Sequence, residues 1–162
     1  MSEAPGRLQQ IAVDCEAVLR QIPGATPVEY RHDGLWMTAP GLDVLAMAAL
    51  MRRMEARLSA ITGMAAEHGE TAIIYHYCLG AFTINIRTTT RDRAIPSITP
   101  LNKAADWSER EISDLYGVAF LGHPNPSRLL RPPSLSPGFF RNPCGEVDRC
   151  GSQSSSPDVP AS

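Results

Sequence analysis

Residues 105–124 read Ala-Asp-Trp-Ser-Glu-Arg-Glu-Ile-Ser-Asp-Leu-Tyr-Gly-Val-Ala-Phe-Leu-Gly-His-Pro, and no other stretch of the 162-residue chain is as specific. Taken as a helix that begins near Asn102 or Lys103, it sets Ala104, Ala105, Ser108, Glu111, Ile112 and Leu115 at three- and four-residue intervals on one face. Asp106, Arg110 and Asp114 stack one turn apart on another, so the arginine is expected to satisfy both carboxylates and keep them ionised. Gly117 stands where a helix end calls for a left-handed residue. Gly122-His123-Pro124 then forces a turn, because glycine tolerates positive φ while proline fixes φ and lacks an N–H.

Working outward, Leu8, Ile11, Ala12, Cys15, Val18, Leu19 and Ile22 repeat at helical spacing until Pro23-Gly24 ends the run. Short extended runs on either side of His32-Asp33-Gly34 predict a hairpin. Thr38 is the expected cap of a second helix with Pro40 in its first turn, and the stripe Leu42, Leu45, Ala46, Ala49, Leu50, Met54, Leu58 and Ile61 carries that helix to Ile61. Two strands follow, over 71–78 and 81–87, joined at Leu79-Gly80, with 88–93 read as a polar loop. In the second, Phe82, Ile84 and Ile86 alternate with Thr83, Asn85 and Arg87, the pattern of a sheet with one buried and one wet face. The fold class expected is α/β (α+β): an antiparallel or mixed sheet backed by amphipathic helices, with an extended C-terminal tail. The expected organisation is one domain over 1–131 and a Pro/Ser/Gly-rich tail over 132–162, disordered by itself or ordered along a partner.

Composition narrows the function classes. A formal net charge of -2 lacks the basic face of a nucleic-acid protein. The longest apolar run, residues 44–51, falls far short of the roughly 20 residues that span a bilayer, so a soluble or peripheral protein is expected. The N-terminus, with Glu3 and Pro5, lacks the basic start and apolar stretch of a secretory signal, so a cytoplasmic location is expected. The isolated glycines open no helix in a dinucleotide-binding pattern, and no cysteine spacing suits an iron-sulfur cluster.

Three constellations carry possible chemistry. His76 and Cys78 fall two apart on one strand face and would need His123 as a third metal ligand; a packed imidazole and a buried thiol are the plainer reading. Cys144 and Cys150 are spaced too widely for a paired zinc motif. The carboxylates Asp106, Glu109, Glu111 and Asp114 would serve acid-base catalysis only in a closed pocket. On an ordinary helix they are solvated charge, yet Trp107, Tyr116, Arg128 and the Gly122-His123-Pro124 turn crowd the same helix, and aromatic residues and arginine concentrate at protein interfaces.

As a whole, Trp107, Glu109-Arg110-Glu111, Asp114, Leu115-Tyr116-Gly117-Val118, Gly122-His123-Pro124 and Arg128-Leu129-Leu130 resemble the conserved block of the complex I 30 kDa subunit family, the C subunits of NADH-quinone oxidoreductases. That family includes the matching small subunit of membrane-bound, energy-converting nickel-iron hydrogenases. The strand around Ile74-Tyr75-His76-Tyr77 and the lead-in Ile95-Pro96-Ser97-Ile98 agree more loosely. The resemblance implies an accessory subunit of the hydrophilic arm of a membrane oxidoreductase, peripheral on the inner face of the cell membrane, with no active site and no cofactor of its own. Its implied partners are the large catalytic subunit, an iron-sulfur small subunit and, indirectly, the membrane arm. A nickel-iron centre or quinone, and iron-sulfur clusters, would belong to those partners. The interface it implies comprises Trp107, Glu109, Arg110, Glu111, Asp114, Tyr116, Gly117, Gly122, His123, Pro124 and Arg128. Within the family, the short C-terminal extension and the lead-in over 97–107 look more like the hydrogenase branch than like the NADH:quinone oxidoreductase (respiratory complex I) branch. The alternative of another class is a small stand-alone metal- or Cys/His-dependent enzyme.

Overall fold

A computed structural model of the chain describes residues 4–19, 24–80, 82–90 and 92–140. Helix α1 (Ala4–Leu19) leads to a hairpin of β1 (Glu29–Arg31) and β2 (Gly34–Thr38), and then to α2 (Val44–Arg53). Strands β3 (Arg57–Ala65), β4 (Thr71–Leu79) and β5 (Phe82–Thr90) follow in an antiparallel meander. β6 (Ala94–Pro96), α3 (Asp106–Tyr116) and β7 (Ala119–Leu121) complete the order. The main sheet runs β1-β2-β5-β4-β3 and is mixed, because β2 lies parallel to β5 while the other pairings are antiparallel. The α+β class with a helix-backed sheet is therefore the observed one.

Alternation along the strands builds the core. Leu35, Met37, Ile84, Ile86, Tyr75, Tyr77, Ile73 and Ile61 line one face, and the same apolar cluster takes in Ala12 and Cys15 of α1, Met47 and Met51 of α2, and Ile112 of α3. The opposite face carries Trp36, Asn85, His76 and Thr62. Gly34 is required at the hairpin: its φ is 138°, and a Cβ there would collide with the Thr83 carbonyl of β5.

Three elements depart from the sequence reading. The second helix stops at Arg53 instead of reaching Ile61, and Leu58 and Ile61 belong to β3. Its end is a Schellman motif: the Glu55 N–H donates to the Arg52 carbonyl at 3.0 Å and the Ala56 N–H to the Met51 carbonyl at 2.9 Å. The left-handed residue is Glu55, at φ 59°, and without a glycine there the stop is hidden in the sequence. Asp43 is the cap in place of Thr38, its carboxylate accepting from the Leu45 and Ala46 N–H groups. The supposed loop at 88–90 continues β5, with Thr88 facing Ile73 and Thr90 facing Thr71 of β4.

β6 and β7 form a small parallel pair, Ile95 opposite Phe120. Because they are parallel, the segments that follow them, Ser97-Ile98-Thr99 and Gly122-His123, leave at the same end, where α3 lies. α3 itself rests on β3 at Gly63, where an added Cβ would come within 3.0 Å of both Ile112 and Tyr116. A Gly63→Val substitution should therefore overpack this contact and cost about 1–3 kcal/mol in urea unfolding, with β3 the first strand to lose amide protection.

Candidate functional site

α3 turns Glu109 and Ile112 into the protein, continuing from Ala105 just before it, whereas Glu111, and Ala104 in the preceding turn, are exposed. The expected stripe thus gives way to one that includes a carboxylate, although the sequence pattern alone puts that carboxylate among solvated charges. Glu109 is fully buried. One oxygen accepts from the Ile98 N–H at 2.7 Å, and the other from the Ser97 Oγ at 2.5 Å and the Thr99 Oγ1 at 2.7 Å. Three donors satisfy a charge that burial would otherwise make prohibitive. Its field reaches the core: burial first, and then the Glu109 carboxylate, raise the Tyr75 and Tyr77 phenols above their ordinary range, so both remain protonated.

His123 closes the site from the β7 side. Its Nδ1 accepts from the Asn125 N–H at 3.0 Å, which leaves the ring proton on Nε2, facing the Asp106 carbonyl at 3.3 Å. The same nitrogen stands 3.6 Å from Asp106 Oδ1 and 3.7 Å from Glu109 Oε2. The imidazole is buried and its nitrogens are occupied, so it is a structural link between the turn and the helix.

Arg110 and Asp114 divide their work differently from the expected stack. Arg110 lies 3.7 Å from Asp106, but its hydrogen bonds go to the Ser127 carbonyl at 2.9 Å, the Ser127 Oγ at 3.2 Å and the Arg128 carbonyl at 3.1 Å. Asp114 Oδ2 accepts from three consecutive N–H groups, those of Leu129, Leu130 and Arg131, at 2.8, 2.8 and 3.0 Å. Arg131 adds its guanidinium at 3.6 Å. A strap of chain over 127–131 crosses the helix and presents carbonyls to the cation and amides to the anion, which takes Asp114 from Arg110 while the Asp106–Arg110 pair persists. Desolvation pushes the Asp114 carboxyl upward, but the three backbone N–H groups and Arg131 together outweigh it and hold the group below the usual aspartate value.

The strap continues into the stretch that reads in sequence as tail. The Gly138 N–H donates to the Asp114 carbonyl at 2.9 Å and the Phe140 N–H to the Leu115 carbonyl at 3.0 Å, so the chain up to Phe140 caps the end of α3. Gly117, at φ 69°, ends the helix as expected, and the Gly138 Cα would lie 3.4 Å from a Cβ added to it. The Phe140 ring lies 6.3 Å from that of Tyr116. Trp107 is 70% exposed, and Glu111, Gly122, Pro124 and Arg128 also face solvent. Ser97, Thr99, Asn125 and Arg131 are site residues that sequence reasoning does not single out. Only the two hydroxyls flanking Ile98 offer a hint, since nothing local tells which carboxylate they hold.

The metal constellation does not assemble. His76 lies on the outer sheet face, its Nδ1 donating to Asn85 Oδ1 at 2.7 Å and its Nε2 accepting from Thr62 Oγ1 at 3.0 Å, while His123 packs under α3. Among the described residues no group of three or more His, Cys, Asp or Glu side chains is arranged to hold a metal ion. Cys15 is a buried thiol pushed up to about 12, mainly by burial. Cys144 and Cys150 lie outside the described residues. No helix among the described residues is long and apolar enough to cross a membrane.

The family model described as respiratory-chain NADH dehydrogenase, 30 Kd subunit, matches residues 38–143, which include most of the sheet, α3 and the strap. The chain belongs to this family. The J subunit of an NAD(P)H-quinone oxidoreductase from Synechococcus sp. (strain RCC307) is 45% identical over 58 residues, 33% of each protein. The C subunit of an NADH-quinone oxidoreductase from Chloroherpeton thalassium is 29% identical over 107 residues, covering 60% of this chain and 45% of the relative. The chain thus matches less than half the length of these two relatives. A trypsin-resistant fragment (1-134) of Nqo5 shares the fold, with a TM-score of 0.58 at 24% identity over 74% of this chain and 98% of the fragment. A chain of an archaeal membrane-bound sulfane sulfur reductase does so at a TM-score of 0.57 and 21% identity, over 70% and 72%.

Two outcomes follow for this helix. Glu109→Ala leaves the Ser97 and Thr99 hydroxyls and the Ile98 N–H without an acceptor, and should lower unfolding stability by about 3–5 kcal/mol, against a smaller loss for Glu109→Gln. Asp114→Asn should cost about 1–3 kcal/mol at neutral pH and free the amides of residues 129–131 to exchange. Because the folded carboxyl is depressed, the wild-type advantage is complete above roughly pH 4 and fades as pH falls through the lowered value, which paired urea titrations measure.

Proposed function

We propose that this chain is an accessory subunit of a complex I-type membrane oxidoreductase, docking on the large catalytic subunit of the hydrophilic arm and carrying no redox centre. The observation that carries the reading is Trp107, 70% exposed at the head of a helix whose Glu109, Arg110 and Asp114 are all committed to holding their own chain. A large aromatic ring on a rigid support, beside exposed Glu111, Pro124 and Arg128, has the composition of an interface anchor with its polar rim. Gly117, Tyr116 and His123 then act behind the surface, by fixing where the helix ends and where the turn lies, and Gly122 is the exposed residue of that turn. The 1–131 domain would provide the docking face, and the 132–162 segment, anchored at its start on α3, would extend along the partner.

Within the family, the names of the matched relatives favour the quinone-oxidoreductase branch, and no feature of the site favours the nickel-iron hydrogenase branch. The electron carriers would then sit in the neighbouring subunits, with this chain placed peripherally at the membrane through them. Its contribution would be spacing, since electron transfer between partners depends on fixed geometry.

Trp107→Ala tests the reading. In pull-downs from gently solubilised membranes, the variant should recover the large subunit at least about tenfold less well than wild type, a loss of the size seen for interface anchors, while its circular dichroism and unfolding midpoint stay unchanged. Normal recovery of the large subunit would overturn the assignment, and recovery of no large subunit even by the wild type would revive the stand-alone enzyme alternative.

A further inference from the structure

β3 closes the main sheet on one side and is nine residues long. Among the described residues no strand pairs with its outer edge. Such an edge usually carries charges or proline to discourage pairing, or is kept short. Here the sequence Arg-Leu-Ser-Ala-Ile-Thr-Gly-Met-Ala has one charge, at its first position, and no proline. The only irregularity is a register shift between Leu58 and Ala60, beyond which residues 60–65 pair regularly with β4.

The edge does not face open solvent on the helix side. α3 lies over β3 at Gly63, and between them a cavity of about 250 Å³ is lined by Ile61, Glu111, Ile112, Leu115, Tyr116 and Phe140. The slot is mixed in lining, apolar at Ile61, Ile112, Leu115 and Phe140 and polar at Thr62 and Glu111. A strand edge unpaired among the described residues and flanked by a helix, with such a slot between, is a geometry in which proteins accept an added strand. Backbone groups of β3 would give the pairing, and alternate side chains of the guest would enter the slot.

We propose that this edge receives an extended segment of a partner polypeptide as a sixth strand, with apolar side chains at alternate positions and a basic residue opposite Glu111. The inference rests on the docking reading above and adds a second contact surface to it. A second copy of this chain is sterically unsuited to the place. Two paired β3 strands would lie about 4.8 Å apart, whereas their overlying α3 helices need about 8–10 Å between axes. A bare strand avoids that collision. Glu111, exposed at the rim and without a salt-bridge partner among the described residues, supplies the charge preference.

Hydrogen-deuterium exchange with residue-level fragmentation tests this, comparing the full chain alone with the full chain in the gently solubilised native complex. The amides of residues 60–65 that point away from β4 should exchange at least about 100-fold more slowly in the complex. Unchanged rates at these amides, in a complex that retains the chain, would overturn the added strand while leaving the docking reading intact. Equal slowing on simply concentrating the isolated chain would make a second copy the occupant and overturn it as well. Failure of the chain to enter any complex would overturn both.

Discussion

A carboxylate removed from water must find donors, and Glu109 meets that demand with segments far from it in sequence. Its three hydrogen bonds all come from the short stretch after β6, and the His123 ring stands beside it from the stretch after β7. The parallel pairing of β6 with β7 brings both stretches to one end of that small sheet. The helix, the lead-in and the turn are therefore locked to each other through one buried charge. A well-packed apolar side chain in its place would hold the helix down but would not dictate the path of the 97–99 backbone.

The other side of α3 works by a complementary rule. Backbone offers carbonyls and amides in alternation, and Arg110 takes the carbonyls of Ser127 and Arg128 while Asp114 takes the next three amides. The helix thereby winds the following chain around itself, and its last carbonyls are met by the amides of Gly138 and Phe140. What looks in sequence like a solvated charged helix is a spool whose Glu109, Arg110 and Asp114 are spent internally, with Glu111 left to solvent. Trp107 is left as the large side chain that α3 displays. Under the docking reading proposed above, a rigid spool with one exposed ring would suit a part that holds its neighbours at fixed spacing.

Where the sequence pattern misleads, the cause is a rule with more than one solution. An apolar stripe through Leu50, Met54, Leu58 and Ile61 satisfies helical spacing, yet the chain takes a Schellman stop with Glu55 in the left-handed position, at a steric cost of about 1–2 kcal/mol, and carries no glycine to reveal it. Leu58 and Ile61 then reach the same core from a strand. The threonines at 88 and 90 read as loop because they are polar, but pairing against β4 buries them in the sheet. Local patterns report which residues must leave water, and they do not report which element takes them there.

Periodicity and turn chemistry by themselves determined the α+β class, the β1–β2 and β4–β5 hairpins, the position of α3 and its stop at Gly117, because those signals lie within a few residues of each other. The motif residues around α3 also sufficed to indicate the family. Only the tertiary structure decided that Glu109 faces inward while Glu111 faces out, that Asp114 binds the strap and not Arg110, and that His76 and His123 never meet. Each of those depends on partners 9 to 18 positions away, as Asn85 is from His76 and Arg128 from Arg110. A carboxylate on a helix looks the same in sequence whether water or a distant backbone amide will satisfy it.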